Sequence, residues 1–279
     1  MRWIIGDIHG MLRPLRTLIE AVRNKDTDPR FIFAGDYVNR GSDAKGVIEL
    51  LLSLKNAFFI RGNHDDIFDQ VLHNVCYAEN ATRGDRLAAF VWFMKYGLDS
   101  TLFSYGIDVS FLYKAVDDPT SEKLQRIVEW VPQNHRDFIR NLLPAYEDDD
   151  LFVVHGKWDP DEMTTKPGIT ARLEADPGLR HRLLWGRFTE DEINRTKAWG
   201  RTGFFGHTPV SNYNASYRTP GGLLRGNVDR PNMIPVTGKA IVLLDTAAAL
   251  GEDGRLTAYC PDTKSYLQTD HFGALVKQD

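Results

Sequence analysis

Six short apolar runs in this chain each end abruptly in a cluster of Gly, Asp, Asn or His. Trp3-Ile4-Ile5 runs into Gly6-Asp7-Ile8-His9-Gly10, Phe31-Ile32-Phe33-Ala34 into Gly35-Asp36, and Ala57-Phe58-Phe59-Ile60 into Arg61-Gly62-Asn63-His64-Asp65. Leu151-Phe152-Val153-Val154 runs into His155-Gly156, Gly203-Phe204-Phe205 into Gly206-His207-Thr208, and Ala240-Ile241-Val242-Leu243-Leu244 into Asp245-Thr246. Short apolar runs bounded by turn residues read as buried strands. Helical periodicity separates the first three. Leu12, Leu15, Leu18, Ile19 and Val22 share one face, as do Val47, Ile48, Leu51 and Leu52, and then Ile67, Phe68, Val71, Leu72 and Val75. Asp7, Asp36 and Asn63 are spaced by 29 and 27 positions, the length of a βαβ unit. Successive βαβ strands are parallel, so their C-terminal ends lie on one side, where such sheets bind ligands. Asp7, His9, Asp36, Asn63 and His64 are therefore expected to converge.

Residues 84–145 read as helical. Leu87, Phe90, Val91 and Met94 form one stripe, Leu124, Ile127, Val128 and Val131 a second, and Phe138, Ile139, Leu142 and Leu143 a third. Such stripes are core far more often than cofactor sites, so this stretch is expected to be a helical insertion covering one sheet edge. Asp148-Asp149-Asp150 reads as a solvated turn. Residues 209–239 show no clear periodicity and carry Tyr213, Tyr217, Arg218, Arg225 and Arg230. A loop of that length is expected to have a role at the site or none at all. The 279 residues are read as one domain, 1–279, holding this insertion and loop.

The charge balance, 34 Lys+Arg against 38 Asp+Glu, excludes a broad basic surface for nucleic acid. No apolar run approaches the ~18–20 residues that span a bilayer. Cys76 and Cys260 make no disulfide framework. The expectation is a cytoplasmic protein with neither nucleic-acid nor membrane partners.

Asp, Asn and His at strand ends are hard and borderline ligands, suited to manganese, iron or zinc. Two neighbouring metals need a shared carboxylate, and Asp36 follows the middle of the three strands. Metals ~3.5–4 Å apart can hold both the attacking and leaving oxygens of an in-line displacement and lower the pKa of a water between them. A phosphate ester is the natural substrate for two cations and nearby arginines. Any one Asp-x-His triplet is weak evidence, and a lone strand-end histidine is more often structural than a ligand. The ordered set of Gly6-Asp7-x-His9-Gly10, Gly35-Asp36-x-x-x-Arg40-Gly41, Gly62-Asn63-His64-Asp65, His155-Gly156 and Gly206-His207 is much harder to read as coincidence.

That set resembles the calcineurin-like metallophosphoesterases, specifically the bacterial-type phosphoprotein phosphatase branch, over nearly the whole chain. Trp92 through Gly106 resembles a helical segment of its bacterial members, and Leu244-Asp245-Thr246-Ala247 with Gly254-Arg255-Leu256-Thr257-Ala258 resembles their closing strands. The resemblance implies an α/β fold of two stacked mixed β-sheets flanked by helices. It implies two divalent ions, manganese first with iron or zinc compatible. Asp7 and His9 would bind the first, Asp36 would bridge, and Asn63, His155 and His207 would bind the second. A metal-bridging hydroxide would attack, and His64 would protonate the leaving oxygen. Arg40, Arg187 and Asn63 would hold the substrate phosphate. Arg61 would support the site from behind. His73, His135, His181 and His271 match no motif and are assigned surface or half-buried roles.

The chain departs from the branch at Asn39, where Gly-Asp-x-x-Asp-Arg-Gly carries its second aspartate. That carboxylate would accept a hydrogen bond from the histidine matching His64 and favour its protonated form. Three accounts are open: an introduced change that slows turnover, a natural variant with Asp43 or Asp65 in support, and a degenerate, slow enzyme. Lys157 and Ala247 stand where glycine is usual. The expected function is hydrolysis of phosphoserine and phosphothreonine esters, with a phosphorylated protein or small phosphoester as partner. The alternatives are a dinucleoside polyphosphate hydrolase and a slow or inactive phosphate-binding variant.

Overall fold

The computed structural model describes residues 1–158, 168–169, 172–173, 176, 178–195, 200–213, 218–219, 222–223 and 233–277. The first half alternates strand and helix as its periodicity predicts: β1 (Arg2–Ile5), α1 (Leu12–Lys25), β2 (Arg30–Phe33), α2 (Ala44–Leu52), β3 (Ala57–Phe59) and α3 (Asn63–His73). The three strands pair in parallel, and their register sets Ile5, Phe33 and Phe59 in one row. Asp7, Asp36 and Asn63 follow two, three and four residues beyond that row. The face on α3 stops short of the predicted Val75, because Asn74 ends the helix in the left-handed conformation at φ 57°.

Five helices follow: α4 (Arg86–Met94), α5 (Leu98–Ser104), α6 (Val109–Asp117), α7 (Ser121–Glu129) and α8 (Gln133–Arg140). The stripe predicted on α4 is offset. Ala89, Phe90 and Phe93 are buried while Val91 is 36% exposed. This helix, RLAAFVWFM, is apolar nearly all round, so its periodicity does not select a face, and packing against α3 does. On α7 and α8 the predicted residues Leu124, Ile127, Val128, Phe138 and Ile139 are buried as read. Leu143 instead leaves the core and bridges to Ile60 at the free edge of β3.

The second half builds β4 (Tyr146–Glu147), β5 (Leu151–Val154), α9 (Gly178–Trp185), α10 (Glu190–Arg195), β6 (Thr202–Phe205) and a 3-10 turn at Val210–Tyr213. Then come β7 (Arg218–Thr219), β8 (Gly222–Leu223), β9 (Val236–Thr237), β10 (Ile241–Leu243), β11 (Arg255–Cys260) and β12 (Ser265–Asp270). One five-stranded sheet runs β12-β11-β1-β2-β3 and the other β4-β5-β6-β10-β9. Both are mixed: the first is antiparallel from β12 to β1 and parallel from β1 to β3, and the second has a parallel centre between antiparallel flanks.

Alternation along the strands explains the layering. Trp3 and Ile5 join the core beneath α1 to α8, while Ile4 faces the other sheet. Phe152 and Val154 join the core beneath α9 and α10, while Leu151 and Val153 meet Ile4, Ile32 and Ile60 between the sheets. Strands covered on both sides need unbroken apolar runs, and these runs are unbroken. The result is the expected sandwich of two mixed sheets between helical layers. Within 209–239, Tyr217, Arg225 and Arg230 lie outside the described residues, as does the side chain of Arg218. The described helices include none long and apolar enough to cross a membrane.

Candidate metal centre

The parallel strands of the second sheet set Val154, Phe205 and Leu243 in one row, with His155, His207 and Asp245 just beyond it. The strand ends of both sheets meet there. The turns that turn these side chains inward are conformationally costly. His9, Asp36, Asn39, Arg40 and His207 have positive φ of 48°, 54°, 71°, 66° and 66°. Non-glycine residues enter this region at roughly 1–2 kcal/mol each, so surrounding contacts must hold them. Asp65 is one such contact: its carboxylate accepts the backbone N–H groups of Asp36, Tyr37 and Gly62 at 2.8, 2.9 and 2.9 Å. The backbone carbonyl of Asp36 accepts from Ile8 and His9. Two motif glycines are required by close approach: a Cβ on Gly62 would collide with Asp36 Oδ1, and one on Gly206 with Asp7 Oδ1.

The six expected ligands come together. Asp36 turns Oδ2 to His9 Nε2 at 3.5 Å and Oδ1 to His155 Nε2 at 3.4 Å. One carboxylate therefore faces both halves of the cluster. Asn63 Oδ1 lies 2.9 Å from His155 Nε2 and 2.8 Å from His207 Nδ1. Ligand atoms of Asp7, Asp36 and His155 fall within 4.8 Å of one another, and so do those of His9, Asp36 and His64. His9 and His155 turn Nδ1 to the carbonyls of Val38 and Ala34 at 3.0 and 2.9 Å. That turns each Nε2 inward; His9 presents it as the basic nitrogen, whereas His155 Nε2 faces only the acceptor oxygens of Asn63 and Asp36 and would have to shed its proton to bind a metal.

The electrostatics indicate a centre short of positive charge. Burial, then neighbouring Asp245, pushes Asp7 well above the usual carboxylate range. Burial would also raise Asp36, but the facing His155, His64 and His9 outweigh it and hold it low. His155 is pushed up to about 10: burial opposes its charge, and Asp36 prevails. Burial, then Arg40, takes His9 down to about 4. Buried oxygen and imidazole donors, with no thiolate and one carboxylate shared between two groups, fit two divalent cations.

His64 opens α3, and its backbone N–H donates to Asp36 Oδ1 at 2.9 Å. Asn39 Nδ2 sits 2.9 Å from His64 Nδ1. Thr101 on α5 sets that polarity. Its hydroxyl accepts the Asn39 backbone N–H at 2.7 Å and gives its one proton to Asn39 Oδ1 at 2.9 Å. The amide therefore presents its NH2 group to the imidazole, which keeps its proton on Nε2. Burial lowers His64 well below the ordinary histidine value. Neither suggested substitute carboxylate reaches it: Asp65 holds the backbone as above, and Asp43 caps α2 through Gly46. Arg40 Nη1 donates to His9 Nε2 at 3.0 Å, and Nη2 lies 3.3 Å from the protonated His64 Nε2, where two donors face each other without a hydrogen bond and would converge on one acceptor oxygen.

Arg187 stands exposed at the rim and donates to Thr208 Oγ1 at 3.1 Å, beside His207. Arg61 is buried behind α3, donating to Asp66 and Asp69 at 3.2 and 2.8 Å. Of the remaining histidines, His135 is fully buried against the Tyr105 hydroxyl rather than half-buried. Lys157 stays out of the left-handed region, whereas Ala247 adopts φ 64°, as a glycine would. Three site neighbours were not legible as such: Thr101; Asp245, buried and raised to about 6 by burial; and Phe93, whose ring meets His64 edge-on at 4.8 Å. The strand-end pattern contains Asp245, but Thr101 and Phe93 reach the site from helices with no local signature.

Comparisons with known proteins agree with this geometry. The model of the calcineurin-like phosphoesterase family matches residues 2–211. A symmetrical bis(5'-nucleosyl)-tetraphosphatase of Coxiella burnetii is 33% identical over 103 residues, covering 32% of this chain and 34% of that protein. The match thus spans about a third of the length of such relatives. A metallophosphoesterase from Sphaerobacter thermophilus superposes with TM-score 0.50 at 14% identity, covering 100% of this chain and 88% of that one. A protein serine/threonine phosphatase from Saccharomyces cerevisiae gives 0.52 at 15% identity, covering 100% and 81%.

Proposed function

The chain belongs to the calcineurin-like phosphoesterase family, and within it we propose a two-metal hydrolase of phosphoanhydrides, with dinucleoside polyphosphates as the substrate class. Asp7, His9 and Asp36 would hold one ion, and Asp36, Asn63, His155 and His207 the other. Bound there, the ions would lower the pKa of a water and offset phosphate charge. Arg40 binds the reacting phosphate through its two-pronged guanidinium, and Arg187 closes on it from the rim. His64 donates a hydrogen bond from Nε2–H to the leaving oxygen, which departs as an anion without taking that proton. Thr101 and Asn39 hold the ring in that tautomer.

The hydrogen bond between Asn39 and His64 carries the choice of substrate. With an amide donor at Nδ1, no carboxylate there stabilises an imidazolium, burial outweighs the facing Asp36, and the acid is weak. A serine or threonine alkoxide leaves only if protonated, and general acid catalysis typically contributes ~100- to 10,000-fold to such a step. A nucleotide leaving through its phosphate, with a second pKa of about 6, needs no such help. The tetraphosphatase name of the relatives supports the same class. Phosphoserine and phosphothreonine ester hydrolysis is the rival reading, and it demands the stronger acid.

The test is kcat/KM of the manganese-loaded protein on diadenosine tetraphosphate and on a phosphoserine peptide. Preference for the dinucleotide by ~100-fold or more is expected. Preference for the peptide, or turnover of neither by protein carrying two ions, overturns the reading.

A further inference from the structure

A cavity of about 790 Å³ opens beside Arg40, between the start of α1, residues 41–43 and the turn after β12. Arg13, Arg16, Arg40, His271 and Phe272 are among the residues that line it. Arg40 thus belongs to both the metal centre and this cavity. Arg13 and Arg16 are exposed and make no ion pair or hydrogen bond among the described residues. Glu20 and Asp43 also line the wall, but Asp43 is engaged in capping α2, and Glu20 is within ion-pair distance of neither arginine. Phe272 is 56% exposed, which leaves its ring accessible from the cavity it lines. Guanidinium groups without carboxylate partners suit phosphate oxygens, and an exposed aromatic face suits a purine.

We infer that this cavity is the second half of the substrate site, which takes the distal phosphates of a dinucleoside polyphosphate on Arg13 and Arg16 and stacks its base on Phe272. The inference rests on the proposed phosphoanhydride activity and adds where the non-reacting nucleotide lies. A polyphosphate chain carries charge beyond the phosphate at the metal centre. On a chain of net charge −4 that charge needs local compensation. Arg13 and Arg16, which line the same cavity as Arg40, supply it.

The experiment compares the wild-type protein, the double variant Arg13→Ala/Arg16→Ala and Phe272→Ala, all manganese-loaded, on diadenosine tetraphosphate and on p-nitrophenyl phosphate. The latter has a single phosphate and no second nucleotide to place in the cavity. The readout is the ratio of kcat/KM for the two substrates. The double variant should lower it by about 10- to 100-fold, mainly through KM, as expected on losing charge-assisted hydrogen bonds. Phe272→Ala should lower it by about 5- to 100-fold, the range for one stacked base. An unchanged ratio in either variant, with the wild type active on the dinucleotide, overturns the inference and leaves the proposed activity standing. A wild type active on p-nitrophenyl phosphate but not on the dinucleotide overturns the parent reading, and this one with it.

Discussion

Asn39 lies between a hydroxyl and an imidazole, and its two amide ends are not equivalent there. Thr101 fixes the oxygen, so the nitrogen meets His64. Asn39→Asp replaces that donor with an acceptor. The Thr101 hydroxyl can still donate to the carboxylate, and the imidazole must now carry a proton on Nδ1. The pKa of His64 should rise from its depressed position, because a negative charge favours the imidazolium. Hydrolysis of a phosphoserine peptide should accelerate by ~10-fold or more, within the range of general acid catalysis. Hydrolysis of p-nitrophenyl phosphate, whose leaving group needs little protonation, should change by less than about threefold on the same basis. Equal effects on both substrates would mean that Asn39 does not limit the acid. The substitution was legible in the motif, but its polarity was not. The polarity depends on Thr101, 62 positions away, and no local spacing links the two residues. The convergence of the candidate ligands was legible because each follows closely on an apolar strand. The left-handed turns that aim His9, Asp36 and His207 had no such marker, since these residues ordinarily avoid that conformation.

Strands and helices differ in how well their residues announced their faces. A strand buried on both sides leaves no face to choose, so the six runs needed only correct ends. A helix must choose one, and α4 shows where periodicity fails. Its nine residues include eight apolar side chains. The stripe through Val91 and the stripe through Phe93 are almost equally plausible on pattern alone. Contact with α3 and with the His64 ring selects Phe93. Phe93→Ala should therefore cost about 3–5 kcal/mol, as for a buried aromatic truncated in a core, and should loosen His64. Val91→Ala should stay within about 0.5 kcal/mol, as for a surface change. Urea unfolding of the two variants checks this, and equal losses would return α4 to the predicted face. The glycines at strand ends act at the same scale. Gly206→Ala forces the turn after β6 away from Asp7, because the new methyl meets its carboxylate. Metal affinity should fall by about 10- to 100-fold, the usual effect of disturbing a ligand's support, with far-UV circular dichroism unchanged. Metal titration by calorimetry measures it.

The two sheets are joined at both ends of their central strands, and different chemistry does the joining at each. The strands end at the metal centre and begin at Arg2. The Arg2 guanidinium reaches Asp148 at 3.1 Å, Asp150 and Asp262. Asp148 and Asp150 lead into β5 of the second sheet, and Asp262 sits in the turn joining β11 to β12. The acidic triplet before β5, read from sequence as a solvated turn, is thus partly a docking point for the first sheet. Its partner lay in a strand start, where an arginine has no distinguishing pattern. Arg2 holds Asp150 at about 2, the hydrogen bond outweighing slight burial, and the same guanidinium holds Asp262 below its ordinary value against burial. A carboxylate whose folded pKa is depressed contributes stability above its unfolded value. That stability is lost as pH falls from about 4 toward 2. Asp150 is largely exposed, so solvent screening limits the network to about 1–2 kcal/mol at low salt, and less as salt rises. Arg2→Ala should therefore lower stability by that amount at pH 7 and low salt. The gap to wild type should narrow with added salt and close as pH falls through this window. Protonation of the candidate metal ligands at low pH acts on both proteins alike, so the difference between their unfolding curves isolates the clasp. Metal content should remain two ions per chain in both, because the clasp and the centre lie at opposite ends of the strands. A gap that neither salt nor acid narrows would show that Arg2 acts through packing of its aliphatic stem, and that the sheets are held at this end by contact rather than by charge.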